Sequence, residues 1–383
     1  MDSLLVKPTP TQMHRNPNVA VVGAGVIGLS TAIVLARAGC EVAVFAGRRR
    51  RGITSAVAAA SWYPYAVSGF RREWAAATYR WLAALAAEAP ASGARRQEAV
   101  EFVDAPGEAE ATRYVEDLWW RELPGTDVRR VDLPRAERTF DFGADDPLGR
   151  RTFAATVEFK TIVVKMDAYL PFLEAMLADA GGRILPEIWI GDLRQLGREH
   201  HCDAVVNCAG FAAEMFADGS RSGGVRPVAG QVLRVAAPGV RRLTVIHSGA
   251  FHEEPLYVVP RGELLDGGPG EVVLGGSYVP TSAESPQCEA PPADERLTGR
   301  IVRRCQAVEP RLAGMRVLET RVGLRPVADA VQVGRDPNNA RRGDDVPVFH
   351  NYGHGGGGVS LSWGCAEAIA AEVLQSVGIE TER

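Results

Sequence analysis

The chain has 383 residues, 46% of them hydrophobic and 23% charged, with a formal net charge of −4. That length allows two domains and a large core, and the balance is that of an ordinary globular protein without the basic footprint of a nucleic-acid binder. The six cysteines form no C-x-x-C and no paired spacing with histidine, which excludes a disulfide framework or a structural metal site as the organising feature.

Residues 1–17, rich in proline and threonine, read as a loose tail. The apolar span Val19 to Ala36 follows Lys7, His14 and Arg15, and Arg37-Ala38-Gly39-Cys40 has the outline of a lipoprotein cleavage box. Arg37 stands where that box needs an aliphatic residue, and no other span reaches the roughly 20 apolar residues of a membrane helix. The expectation is therefore a cytoplasmic protein with no targeting signal and no membrane partner.

The same span has a better explanation. Val19-Ala20-Val21-Val22 fits a buried parallel strand. Gly23-Ala24-Gly25-Val26-Ile27-Gly28 follows as a tight glycine turn, then a helical pattern to Arg37 closed by Gly39. Glu41 to Phe45 reads as a second strand. A strand, glycine turn, helix and strand in this order lay a pyrophosphate on a helix N-terminus. One part of the fingerprint is missing: an acid should follow the second strand to hold the ribose hydroxyls, and here Gly47 precedes Arg48 to Arg51. An arginine in that place suits a 2′-phosphate, so the pattern leaves NADP in competition with FAD.

Thr54 to Ser61 is a run dominated by small residues leading into Trp62-Tyr63-Pro64-Tyr65, and small residues permit close approach to a ligand. Residues 70–90 form an alanine-rich helix with Trp74 and Trp81 as core anchors. Residues 95–150 alternate between strand-like and turn-like pieces. Met166 to Ala180 is an amphipathic helix ending at Gly181-Gly182, and Asp203 to Gly210 is another buried strand returning beside the nucleotide. Three strands of an antiparallel sheet follow at 230–235, 256–260 and 271–276, then a helix from Leu297 to Val308. Thr320 to Val327 leads back towards the first unit, and residues 336–345 look like an exposed turn. The chain closes with His350-Asn351-Tyr352-Gly353-His354 and four further glycines before a helix start at Val359. Glycine has no Cβ, so such a run suits backbone pressed against a flat polar group, with the positive end of a helix behind it.

Taken together, these motifs resemble the D-amino acid oxidases, flavoenzymes related to D-aspartate oxidase and glycine oxidase. The resemblance runs in order from about residue 18 to 375. It rests on the nucleotide fingerprint, Ala58 to Tyr65, Val206-Asn207-Cys208-Ala209-Gly210, Gly230-Gln231, Tyr257-Val258-Val259-Pro260, Gly323-Leu324-Arg325-Pro326 and the glycine run with Trp363-Gly364-Cys365-Ala366. It implies an α/β fold: a Rossmann-like FAD-binding domain at 18–70, 151–225 and 321–383, interleaved with a substrate domain of antiparallel or mixed sheet at 71–150 and 226–320.

The resemblance also implies non-covalent FAD. Ala24, Gly25, Val26, Ile27 and Gly28 would hold its pyrophosphate, and Gly23 and Ser55 would also bind the cofactor. Arg48 would lie near the adenosine and Ile188 near the adenine. Ala59, Ala60 and Ser61 would run along the flavin, and Gly355, Gly356, Gly358, Val359 and Ser360 would face its pyrimidine end. Arg325 and Tyr257 would hold the substrate α-carboxylate, the Gly356 carbonyl would accept from the α-amine, and Tyr63, His252 and Glu253 would border the pocket. No metal is implied. The expected reaction is oxidative deamination of a D-amino acid by hydride transfer to flavin N5, giving a 2-oxo acid, ammonia and hydrogen peroxide, with oxygen as second substrate. A tyrosine common in the family about four residues before Tyr257 is absent here, where Phe251-His252-Glu253-Glu254 stands. A different, more acidic lid is expected, favouring neutral or basic side chains over D-aspartate. Glycine or an amino compound of secondary metabolism is the alternative substrate, and a NADP-binding reductase is the rival class. A homodimer is compatible with the sequence.

Overall fold

The structure is a computed structural model. It describes residues 15–47, 53–64, 69–186, 190–216, 224–251, 254–263, 270–281, 290–337 and 346–379. Arg48, Ile188, His252 and Glu253 lie outside them, as do most of the expected tail and of the 336–345 turn.

The chain opens with the expected βαβ unit: β1 (Asn18–Val22), α1 (Val26–Arg37) and β2 (Glu41–Phe45). The apolar residues of both strands are buried, and the helix is closed by Gly39 in the left-handed region, φ +93°. Next come α2 (Thr54–Val57), α3 (Arg72–Glu88), β3 (Ala94–Val103), α4 (Glu108–Glu116), β4 (Arg129–Val131), β5 (Thr139–Asp141), β6 (Arg150–Thr152) and β7 (Ala155–Val164). They are followed by α5 (Met166–Asp179), β8 (Arg183–Leu185), α6 (Leu193–Glu199), β9 (Ala204–Asn207), β10 (Arg226–Ala236), β11 (Leu243–Ile246), β12 (Leu256–Gly262), β13 (Glu271–Gly275) and β14 (Val279–Pro280). Last are α7 (Glu295–Val308), β15 (Arg316–Arg335), β16 (Val348–His354) and α8 (Gly358–Ser376). No helix among the described residues is long and apolar enough to cross a membrane.

At one end, β16-β9-β1-β2-β8 run parallel, the arrangement that places every strand's C-terminal end on one edge. At the other, β15, β10, β13, β12 and β11 pair antiparallel in sequence across the sheet, and β11 continues to β3, β7 and β4. The 20-residue β15 joins the two. Its first part pairs with β10 and its last part with β16, and Val327 is the residue paired with both. Arg325, two residues earlier, therefore stands where the two halves of the sheet meet.

Helices α1, α3 and α8 pack together on the parallel half. Trp81 and Trp363 stack at 4.1 Å and 7°, and a Cβ at Gly364 would collide with the Trp74 backbone, so α3 and α8 come close only because that residue is glycine. Trp81 is the buried anchor, whereas Trp74 is only partly buried, with Arg71 over its ring. The second core lies under β10 to β13 and is closed by Ile301, Cys305 and Val308 of α7.

Several expectations need amending. Helix α4 interrupts the region read as strands and turns. α3 packs against α8, and β7 pairs with β3 and β4. Asp336 is not part of an exposed turn: it is buried and paired with Arg194 at 3.0 Å. The cysteines at 40, 202, 208, 305 and 365 are free and buried.

Candidate active site

A single cavity of about 1530 Å³ runs from the C-terminal edge of the parallel strands to the face of β10, β11 and β12. At its first end the walls are mostly main chain. Gly23 has φ +112°, and a Cβ there would collide with the Cys208 carbonyl at the end of β9. A Cβ on Gly28 would overlap the Gly23 carbonyl. These two glycines let the turn close against its neighbours, while a Cβ on Gly25 would meet only Ser55 Oγ, at 3.2 Å. α1 starts at Gly25 with no side-chain cap, and its Val26 N–H donates to Ser55 Oγ at 3.1 Å. The remaining first-turn N–H groups and the positive helix end are left for an anion. Gly23 to Ile27 line the cavity; Gly28 lies behind them.

Ala58 to Ser61 form one side of the middle stretch, and Gly355, Gly356, Gly358, Val359 and Ser360 the other. Ala60 takes φ +58°, a conformation costly for a residue with a Cβ. It is held there: its carbonyl accepts from Val164 N at 2.8 Å, and Ser61 bridges to Val163. From behind, Arg261 donates through Nη2 to the carbonyls of Ala58 and Ala59, the latter at 2.9 Å. Arg261 sits in a buried ionic group with Glu271, which Arg234 grips through two hydrogen bonds of 3.1 and 3.2 Å. Burial pushes the Arg261 guanidinium down to about 10. Ser360 clamps the segment from the other side: its Oγ accepts from Tyr63 N at 3.0 Å and donates to Tyr63 O at 3.1 Å. α8 starts without a side-chain cap, so its first N–H groups also open towards the cavity. His354, whose Nε2 is buried without a partner, is driven by burial down to about 3 and is therefore a neutral imidazole.

The far end is made of side chains. Arg325 Nη1 donates to the Ser277 carbonyl at 2.8 Å, and the guanidinium lies over the Tyr278 ring at 5.8 Å. Among the described residues no carboxylate forms an ion pair with it, and its flank lies along Gly356, where a Cβ would stand 3.7 Å from Arg325 Cδ. A Cβ on Gly230 would overlap the guanidinium, so β10 makes room for Arg325 by having none. Gly275 and Gly276 do the same for the ring of Tyr257. Burial raises the Tyr257 phenol, and the neighbouring Arg325 charge partly opposes the rise. A planar cation and a protonated phenol at one end of a cavity can grip a carboxylate.

Tyr63 lines the cavity as expected, and its hydroxyl donates to the buried Glu101 at 2.7 Å. The expectation of an acidic lid fails at Glu254: its carboxylate turns to α7 and pairs with Arg300 and Arg304, each at 2.9 Å. Arg261, Tyr278 and Glu101 were not anticipated. The signal for Arg261 and Glu271 was available, since each is a charged residue within or at the head of an otherwise apolar strand.

A cavity of this length, floored by glycines and faced by two uncapped helix N-termini and a neutral buried imidazole, fits a dinucleotide carrying a flat ring system. The profile of the family described as FAD dependent oxidoreductase matches residues 18–372. A D-amino-acid oxidase from Rubrobacter xylanophilus is 39% identical over 361 residues, covering 92% of this chain and 94% of the relative. A D-aspartate oxidase from Homo sapiens is 31% identical over 367 residues, covering 94% and 95%. Among solved structures, glycine oxidase from Bacillus cereus superposes with a TM-score of 0.70 at 18% identity, over 96% of this chain and 99% of that one. The chain belongs to the FAD-dependent oxidoreductase family, and FAD is its cofactor. The NADP alternative, which rested on Arg48 and the missing acid, is set aside.

Proposed function

We propose that the enzyme oxidatively deaminates D-amino acids with neutral or basic side chains. One D-amino acid, one dioxygen and one water give a 2-oxo acid, ammonia and hydrogen peroxide. The observation that carries the reading is Arg325, a guanidinium with no carboxylate partner among the described residues, set beside the Tyr257 phenol at the end of the FAD cavity.

FAD, when bound, supplies the two-electron acceptor that dioxygen regenerates. The protein's own part is positioning. Ala24 to Ile27 would hold the pyrophosphate on the N-terminus of α1, and Ala59 to Ser61 with Gly355 to Ser360 would hold the ring between two stretches of main chain. The positive end of α8 would stabilise negative charge accumulating at the ring edge beside it. Arg325 and Tyr257 would hold the α-carboxylate at two points and the Gly356 carbonyl would take the amine as a third. Three points on one carbon select one enantiomer and turn its Cα–H towards the ring. No side-chain acid or base is required for this arrangement to work.

A peroxide-coupled screen of D- and L-amino acids, glycine and sarcosine on yellow, flavin-containing protein tests the reading. Turnover of neutral or basic D-amino acids, with their L-enantiomers inert, is the expected result. Peroxide from glycine or sarcosine alone would move the assignment to a different amine, and a best rate with D-aspartate would refute the side-chain preference.

A further inference from the structure

Beyond Tyr257 the same wall carries a buried carboxylate with no role so far. Tyr257 of β12 pairs with Val245 of β11, and Val245 pairs with Glu101 of β3. Paired residues on neighbouring strands project from one face, and strands lie about 4.8 Å apart. Glu101 therefore stands roughly 10 Å from Tyr257, on the face that Tyr257 and Val245 turn to the cavity. It is fully buried. Tyr63 donates to its Oε2 and Tyr114 to its Oε1, both at 2.7 Å. His247 completes the group, with Nε2 2.8 Å from the Tyr114 hydroxyl and Nδ1 3.2 Å from Glu101 Oε1.

Two phenols thus donate to the two oxygens of one carboxyl group, one to each. Among the described residues no arginine or lysine forms an ion pair with Glu101; the imidazole of His247 is its one ionic neighbour. Tyr63 belongs to the cavity wall, and its proton is committed to Glu101. What it offers a side chain in the cavity is an acceptor oxygen backed by a buried negative charge, whose field is little screened.

The geometry points to Tyr63 and Glu101, braced by Tyr114 and His247, as the distal end of the side-chain subsite, selecting D-amino acids whose side chains end in a guanidinium, an ammonium or another hydrogen-bond donor. The assignment rests on the reading of Arg325 and Tyr257 as the α-carboxylate clamp. With the carboxylate held there, the interval to Glu101 suits the long side chains of arginine and lysine. A side chain ending in a carboxylate meets a like charge.

The test compares kcat/KM for D-arginine, D-norleucine and D-glutamate in the wild-type holoenzyme, Glu101→Gln and Tyr63→Phe. Gln keeps the shape of Glu101 and removes its charge; Phe keeps the Tyr63 ring and removes the hydroxyl, so it carries the test should the first variant not fold. The D-arginine to D-norleucine ratio should fall at least about tenfold in Glu101→Gln and less in Tyr63→Phe, while the D-glutamate to D-norleucine ratio rises. A preference for D-arginine that survives both substitutions in FAD-loaded protein would overturn this assignment alone. A wild-type enzyme that oxidised no D-amino acid would overturn the underlying reading, and this one with it.

Discussion

At the α1 and α8 end of the cavity the contacts come from main chain; at the β10 to β12 end they come from side chains seated on main chain. Glycine serves both, in opposite ways. Gly23 and Gly28 let two stretches of backbone touch, so that main chain lies close around this end of the cavity. Gly230, Gly275 and Gly276 let a guanidinium and a phenol lie flat against a strand. Charge is divided the same way: the first end offers helix N-termini, whose partial charge is part of the fold, while the second offers a full cation at Arg325 and a buried anion at Glu101. A defect at the first end should cost the cofactor, and a defect at the second should cost the substrate while the cofactor stays.

The largest effect that would break this division is at Arg325. Arg325→Leu removes the cation and leaves the hydrophobic stem, so kcat/KM should drop about a thousandfold or more, as expected for losing a two-point charged grip. Bound FAD, read from the visible absorption of the purified protein, should be unchanged. Retained oxidation would remove the clamp from the account.

Two glycine-to-alanine changes then separate the ends directly. In Gly28→Ala the new methyl meets a carbonyl of the same rigid turn, which has nowhere to go; loss of FAD and of about 3 kcal/mol of stability is expected. In Gly230→Ala the methyl meets the far end of the Arg325 side chain, which can swing away. FAD content should then stay at the wild-type level while KM rises roughly tenfold to a hundredfold. Equal loss of FAD in both variants would mean that the ends are not independent.

The acid limb of stability sharpens the comparison further. His354, at the main-chain end, is held neutral with its pKa down to about 3. Unfolding returns it to about 6.5, so between those values the unfolded chain binds the extra proton and folding weakens as pH falls below 6.5. The loss amounts to about 2 kcal/mol at pH 5. Urea unfolding of wild type and His354→Gln at pH 7 and pH 5 measures it, since glutamine does not titrate. The wild type should lose about 2 kcal/mol more than the variant over that interval, and parallel losses would contradict a buried neutral imidazole.

The two ends also differ in how far they could be read from sequence. The nucleotide end is written in contiguous letters: the turn at residues 23–28 and the glycine run before α8 each carry their backbone requirement in place, and the structure brings both to one cavity. Arg325 and Tyr257 were named only through a family resemblance, because nothing local distinguishes a substrate-facing arginine from a structural one. Glu101 was missed altogether. It sits in a strand that also carries Arg95, Arg96 and Glu98, and its burial comes from β11, the Tyr63 segment and Tyr114 of α4, none of them adjacent to it in sequence. Thr320 to Val327 reads from sequence only as a path back towards the first unit, whereas β15 runs from Arg316 to Arg335 through Gly323 and Pro326, residues that ordinarily weaken or bound a strand. In the sheet Gly323 faces Val57, whose Cβ would be 3.0 Å from a side chain there, and Pro326 pairs with Pro227.

The smallest effect concerns the one letter of the fingerprint that is absent. Gly47 follows β2 at the edge of the cavity, where an acid would hold the ribose hydroxyls. A Cβ built on it meets nothing within 4 Å, and its φ is not in the left-handed region, so a side chain costs neither space nor strain. The missing acid is therefore not excluded by packing. Gly47→Asp should add charge-assisted hydrogen bonds to the cofactor and tighten FAD by about tenfold, roughly 1.4 kcal/mol. Nothing at the substrate end should move. Equilibrium titration of apoprotein with FAD measures the first part and KM for a D-amino acid the second. Tighter FAD at constant KM is what two independently built ends require, whereas unchanged FAD affinity would mean that the wild type already satisfies the ribose by another group.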